Sequence, residues 1–386
     1  MPVFTGWRDV MPYAVHHLHV VEISRNGGRH FRGVRLRPSG ARDRAPGEAV
    51  AGVSNLDTRP EEVASAPAVP RPAGEAAVEI LSPREVPLGG PRALHVRRTL
   101  PQRQRSLIGG WCFIDHYGPD PVSQTGGMSV PPHPHTELQT VSWLFTGEIE
   151  HRDSAGHHAL VRPGELNLMT AGRGIAHSEV STPGTSVLHG VQLWVALPSA
   201  ARFAEPAFEH YAPDPVPGDG FTARVFLGSL LGSSAPVTGH SPLLGAEISI
   251  EAGCVLRLAA DAAFEYGVLV DAGAVALNGS VVETNRLGYL TAGADVLELR
   301  AGQGSPARML LLGGVPLGEQ IVMWWNFISR SHDEIVRYRA DWQALITAAP
   351  GAAGRPVPDR FALPTGDRLL PIPAPPMPNA TLRPRA

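Results

Sequence analysis

The sequence predicts an all-β fold of two tandem β-barrels followed by a short C-terminal helix, and three observations predict it. Short runs rich in Val, Ile and Leu recur from Ala77 to Leu312, punctuated by Gly, Pro and Asp. Such runs, bounded by turn residues, are strands. Their short, regular spacing with almost no helical periodicity is the pattern of barrels and sandwiches. They also fall into two comparable blocks, 77–200 and 201–316.

Each further segment follows from its own pattern. Residues 1–75 lack sustained periodicity, carry Arg25, Arg29, Arg32, Arg35 and Arg37, and run into a Pro/Ala stretch from Ala64 to Ala76. That composition predicts a disordered N-terminal extension, with Val53-Ser54-Asn55-Leu56 as a natural alternative start. Residues 77–200 and 201–345 form the two barrel domains, the second ending in the helix. Ser331-His332-Asp333-Glu334 reads as a capping box, in which the Ser331 hydroxyl and the Glu334 carboxylate each satisfy an open backbone donor. Ile335, Tyr338, Trp342 and Leu345 follow at helical spacing as one apolar stripe. Residues 346–386 are a proline-rich tail expected to be extended, draped over the surface or disordered.

Composition excludes several chemistries. All 33 basic residues among the 386 are arginine. Without lysine there is no Schiff base, no phosphate-loop lysine and no Ser-Lys dyad. A net charge of −3 gives no electrostatic footprint for nucleic acid or an anionic membrane. Cys112 and Cys254 stand alone, so neither a disulfide framework nor a thiolate zinc site is indicated, and a reducing cytoplasm fits. The apolar stretch from Tyr13 to Ile23 is interrupted by His16, His17, His19 and Glu22, unlike a signal-peptide core, and no later run reaches spanning length. The expectation is a soluble cytoplasmic protein whose partners are small molecules.

The segment Pro131-Pro132-His133-Pro134-His135-Thr136-Glu137-Leu138-Gln139-Thr140-Val141-Ser142-Trp143 carries the chemistry. Side chains alternate along a strand, so His133 and His135 share a face and can share a metal. If the strand stays regular, Glu137, Gln139, Val141, Trp143 and Phe145 face the same side, as a polar mouth grading into an apolar, substrate-binding interior. About forty residues on, a glycine-rich stretch from Arg162 leads to His177-Ser178-Glu179, where His177 and Glu179 again share a face. Together the two motifs supply three imidazoles and one carboxylate. Such a thiolate-free set suits one divalent ion of the Fe(II), Mn, Ni or Cu kind and leaves about two coordination positions open.

His151, His157 and His158 read as polar turn residues with no role, Trp324 and Trp325 as packing, and His116 as structural or a substrate contact. Phe113 and Met128 read as core residues or as lining of the barrel mouth. The second barrel, Phe221 to Val315, has only His240 and no HxH or HxE pair, so it cannot repeat the site. One metal site is expected.

The segments HPHTELQTVSWLFTGEIEHRDSAGHH, PGELNLMTAGRGIAHSE and GVQLWVALP resemble the pirins, a family of the cupin superfamily, and the resemblance runs from about Val78 to Trp342. It implies two jelly-roll cupin barrels, the first holding a metal, usually iron, on His133, His135, His177 and Glu179, and the second degenerate. It also implies quercetin 2,3-dioxygenase activity on a flavonol-like aromatic substrate with O2. The alternative it offers is a non-catalytic metal or redox sensor that binds a protein partner. Gln139 stands where pirins often carry a glutamate, so the base that removes the flavonol hydroxyl proton would be Glu137 or Glu179.

Overall fold

The computed structural model describes residues 20–25, 78–88, 94–348 and 360–385. Two barrels, each made of a long sheet and a shorter one, account for most of it. In the first, the seven-stranded sheet has the order Ala207–Tyr211, Leu166–Thr170, Leu138–Thr146, Val187–Ala196, Trp111–Pro121, Leu94–Leu100, Arg84–Leu88. It faces a four-stranded sheet ordered Ser129–His135, Ile175–Ser181, Ile149–Asp153, His158–Val161. In the second, a seven-stranded sheet runs Val216–Gly218, Phe221–Leu227, Leu243–Ile250, Ala307–Gly314, Glu265–Ala272, Leu287–Leu290, Glu79–Leu81. Its partner sheet has five strands: Val20–Arg25, Cys254–Ala259, Val296–Ala301, Ala274–Leu277, Ser280–Glu283. No helix among the described residues is long and apolar enough to cross a membrane.

The barrels are not independent. Edge strands cross the expected boundary at residue 200 in both directions: Glu79–Leu81 pairs with Leu287–Leu290 in the second barrel, while Ala207–Tyr211 pairs with Leu166–Thr170 in the first. The sheets therefore do not divide at 200/201. Between the barrels lies one apolar layer, in which Trp111, Val141, Trp143, Leu166 and Leu193 of the first pack against Phe226, Leu269, Leu310 and Leu312 of the second. Each such side chain contributes about 1.5–3 kcal/mol on burial. Indole donors inside the layer are satisfied across it, Trp143 Nε1 by Glu247 Oε2 at 2.7 Å and Trp111 Nε1 by the Gly313 carbonyl at 3.1 Å.

Three other expectations change. Residues 20–25 are not disordered: Val20–Arg25 forms an edge strand on Cys254–Ala259. A β-branched run can satisfy the open backbone groups of a sheet edge, which overrides the polarity around it. The rest of 1–75 lies outside the described residues. The helix, His332–Thr347, begins at Ser331 as expected, with the Ser331 hydroxyl accepting from Glu334 N. However, the Glu334 carboxylate accepts from Arg330 N, and the helix packs on the first barrel rather than closing the second: Ile335, Tyr338 and Trp342 share a cluster with Ala176 and Phe327. The tail is extended and draped as expected where it is described, residues 360–385, and it is also fastened. Ile372 N donates to the Pro132 carbonyl, Trp342 Nε1 to the Ile372 carbonyl, and Phe361, Ala374 and Leu382 are buried in the same cluster.

The last change concerns parity. Glu137 has φ +57°, a left-handed conformation uncommon outside glycine, at the corner between Ser129–His135 in one sheet and Leu138–Thr146 in the other. This corner breaks the alternation, so the next strand presents its even positions to the first barrel's interior. Ser142 reaches Glu179 there, and Leu144 packs with Val130. Gln139, Val141, Trp143 and Phe145 face the second barrel instead. Gln139 Nε2 donates to the Thr238 carbonyl at 3.0 Å, and the Phe145 ring lies under the Arg308 guanidinium.

Candidate metal centre

Strand pairing brings the two motifs together. Ser129–His135 and Ile175–Ser181 are antiparallel neighbours, with His177 directly opposite His133 and Ile175 opposite His135. The register shifts between His177 and Glu179, and a bulge of this kind re-aims the side chains beside it. His133, His135 and His177 gather with ring centroids 4.4–5.0 Å apart, all fully or almost fully buried.

The backbone fixes which imidazole nitrogens are available. His133 Nδ1–H donates to the Pro131 carbonyl at 2.9 Å and His135 Nδ1–H to the Asn326 carbonyl at 3.0 Å. A carbonyl can only accept, so each ring keeps its proton on Nδ1 and offers Nε2 as a lone pair. His135 Nε2 lies 3.1 Å from His177 Nε2, and His133 Nε2 is buried with no hydrogen-bond partner. A buried nitrogen without a partner, beside two others, fits a cation bound among them. The three ligand nitrogens lie within 4.8 Å of one another.

Burial also keeps these rings neutral, which is the ligand form. It lowers His133 to about 4, offset in part by the Pro131 hydrogen bond. Burial, and then the neighbouring imidazoles, hold His135 and His177 well below the ordinary histidine range. The unfolded chain therefore takes up these protons more readily than the native state. With the metal removed by a chelator, stability should be fully present above about pH 6.5 and fall as pH drops towards 4. Denaturant unfolding across that window checks this; a flat profile would mean that the rings protonate without cost.

Glu179 lies at the edge of this group. Its carboxylate falls within 4.8 Å of His177 and His151, a second set that shares His177 with the first. Burial raises its pKa, opposed by the His151 charge and by the Ser142 hydroxyl, which donates to Oε1 at 3.2 Å. The structure thus assembles the three expected histidines as one set and sets the carboxylate against it through His177.

Glu137 does not join the site. Its carboxylate accepts from Tyr338 Oη at 2.6 Å and from Arg202 and Arg330 at 3.2–3.3 Å, which ties the C-terminal helix to the barrel corner. Held by two guanidiniums and a phenol, this carboxylate acts as a clamp, and burial raises its pKa against those contacts.

Sequence reasoning missed His151. It is buried, opposite Glu179 in the strand pairing, with Nδ1 3.4 Å from His177 Nδ1 and Nε2 3.3 Å from Asp153 Oδ2. In the structure Ile149, His151 and Asp153 are buried while Glu150 and Arg152 are half-buried, the period-2 pattern of a strand rather than a turn. His157 and His158 do lie at the surface, pairing with Asp153 and Glu150. Trp194, stacked on Phe113 at 4.0 Å, stands edge-on to His135 at 5.0 Å and supplies the apolar wall expected of Trp143 and Phe145. Met128 packs with Val130 and Leu144 in the core.

Comparison with known proteins agrees with the two-barrel fold. The pirin family model matches residues 93–195, and the model for the pirin C-terminal cupin domain matches residues 245–346. A Pseudomonas aeruginosa protein named "Putative quercetin 2,3-dioxygenase" is 45% identical over 261 residues, covering 67% of this chain and 82% of that protein. A pirin-like protein of Caulobacter vibrioides is 36% identical over 260 residues, covering 64% of this chain and 88% of its own length. The crystal structure of a quercetin 2,3-dioxygenase from Acinetobacter baumannii superposes with a TM-score of 0.71 at 33% identity, covering 80% of this chain and 97% of that one. With both family models matched in order and the buried histidine set in place, this chain belongs to the pirin family.

Proposed function

We propose that this chain is an iron-dependent dioxygenase acting on a flavonol-like aromatic substrate, of the quercetin 2,3-dioxygenase type, and that it works in the cytoplasm. The observation that carries the reading is the set of three buried, neutral imidazoles with one partnerless nitrogen, next to a buried carboxylate. The similarity to proteins named as quercetin dioxygenases supports the substrate class. Fe(II), held by His133, His135, His177 and Glu179, would leave open positions and supply the redox chemistry that joins substrate to O2.

The chain's own residues do the rest. Glu179, beside the histidine set, is the carboxylate placed to accept the flavonol hydroxyl proton, while Glu137 is occupied by Tyr338, Arg202 and Arg330 away from it. Ser142 orients Glu179 and is itself held within 2.9 Å of Gln192 Oε1. Trp194 offers a ring face and a buried Nε1–H without a partner, which suits an aromatic ligand that carries oxygen atoms.

The test is anaerobic Fe(II) loading followed by air and quercetin. Loss of flavonol absorbance with release of carbon monoxide is expected. A fully iron-loaded protein that turns over no flavonol would leave metal sensing with a protein partner as the better reading.

A further inference from the structure

A second donor set lies at the junction of the two barrels. His116 comes from Trp111–Pro121, His189 from Val187–Ala196 and Asp271 from Glu265–Ala272 in the other barrel. Their ligand atoms lie within 4.8 Å of one another, and all three side chains are buried. Both imidazoles aim Nε2 at the same carboxylate oxygen, Asp271 Oδ1, from 2.8 Å for His116 and 2.6 Å for His189. We propose that His116, His189 and Asp271 form a second metal site, for a divalent ion of the Zn(II) or Co(II) class, that staples the two barrels together.

Three observations support it. His116 Nε2 and His189 Nε2 both converge on Asp271 Oδ1 in a buried junction between the barrels. A carboxylate oxygen can only accept, so without a cation both rings must carry a proton on Nε2; a bound cation would replace both protons, with a small separation of the three donors. Next, the backbone has been bent to make the cluster. The strand register shifts at His189, between Leu188 and Gly190, and at Asp271, between Val270 and Ala272. Bulges of this kind re-aim side chains at functional positions, as the one beside Glu179 does. Finally, the supporting contacts are those a metal-binding carboxylate needs: Arg308 donates to Asp271 Oδ2 at 2.6–2.7 Å and leaves Oδ1 for the histidines. Phe145, 4.9 Å from the His189 ring, walls the site.

Two imidazoles and one carboxylate with no thiolate are three ligands of the kind a four-coordinate ion takes. The Arg308 and Arg97 charges oppose a cation, so affinity here should be lower than at the first centre.

Metal analysis and Co(II) titration test the proposal without reference to turnover. The wild-type chain should bind two equivalents, and Asp271→Asn, nearly isosteric, should bind one. In the His135→Ala/His177→Ala variant, which removes the first centre, one equivalent should remain, with the visible absorption of a four-coordinate Co(II) ion. Adding His189→Gln should remove it. A wild-type chain that binds a single equivalent, unchanged by Asp271→Asn, overturns the proposal and leaves a hydrogen-bonded inter-barrel cluster. If the first-centre variant fails to fold, the comparison of wild type with Asp271→Asn decides alone.

Discussion

His135→Ala is expected to strip the first centre of its metal and to abolish flavonol turnover in the same proportion. The substitution removes a nitrogen that approaches His177 Nε2 to 3.1 Å and cuts the tie to the Asn326 carbonyl. Loss of a mere supporting partner costs roughly 10–100-fold in metal affinity, and loss of the ligand itself should exceed that. Metal content by elemental analysis and turnover per chain are the two readouts. Turnover that persists in metal-free protein would detach the activity from this site.

Glu137→Ala should have the largest effect on stability. The carboxylate is 1% exposed and neutralises two guanidiniums while accepting from Tyr338 Oη. Its removal leaves Arg202 and Arg330 facing each other beside an unpaired phenol, and breaking a buried pair of this kind costs about 3–5 kcal/mol. Arg202 keeps Glu334 and Arg330 keeps Glu319, so the lower end of that range is expected. Denaturant unfolding measures it. Turnover per bound metal should be unchanged in the folded protein; a loss of about a hundredfold or more, the scale of acid-base catalysis, would restore Glu137 as the base.

These two residues lie two positions apart in the sequence, and one corner separates their roles. That His133 shares a face with His135, and His177 with Glu179, was legible because each pair follows the period-2 rule along one strand; that the two pairs meet is decided by strand pairing. The all-β character and the two blocks were legible for the same local reason, as was the helix with its Ser331 cap. Extending the alternation past His135 failed because a left-handed residue at Glu137 moves the chain into the opposite sheet. Gln139, Val141, Trp143 and Phe145 then belong to the inter-barrel layer. Nothing local to that segment announces the corner.

What tertiary structure alone decided is where distant segments meet. His151 became part of the site because its strand pairs with that of Glu179, and Trp194 because its strand runs beside the His135 wall. Asp271 stands 155 residues from His116 and on a different barrel, so no spacing could link them. A sequence determines the face on which a side chain lies wherever a strand stays regular. Corners, bulges and strand exchange depend on the packing of elements far apart in the chain, and in this protein those three features set the limits of both candidate metal sites.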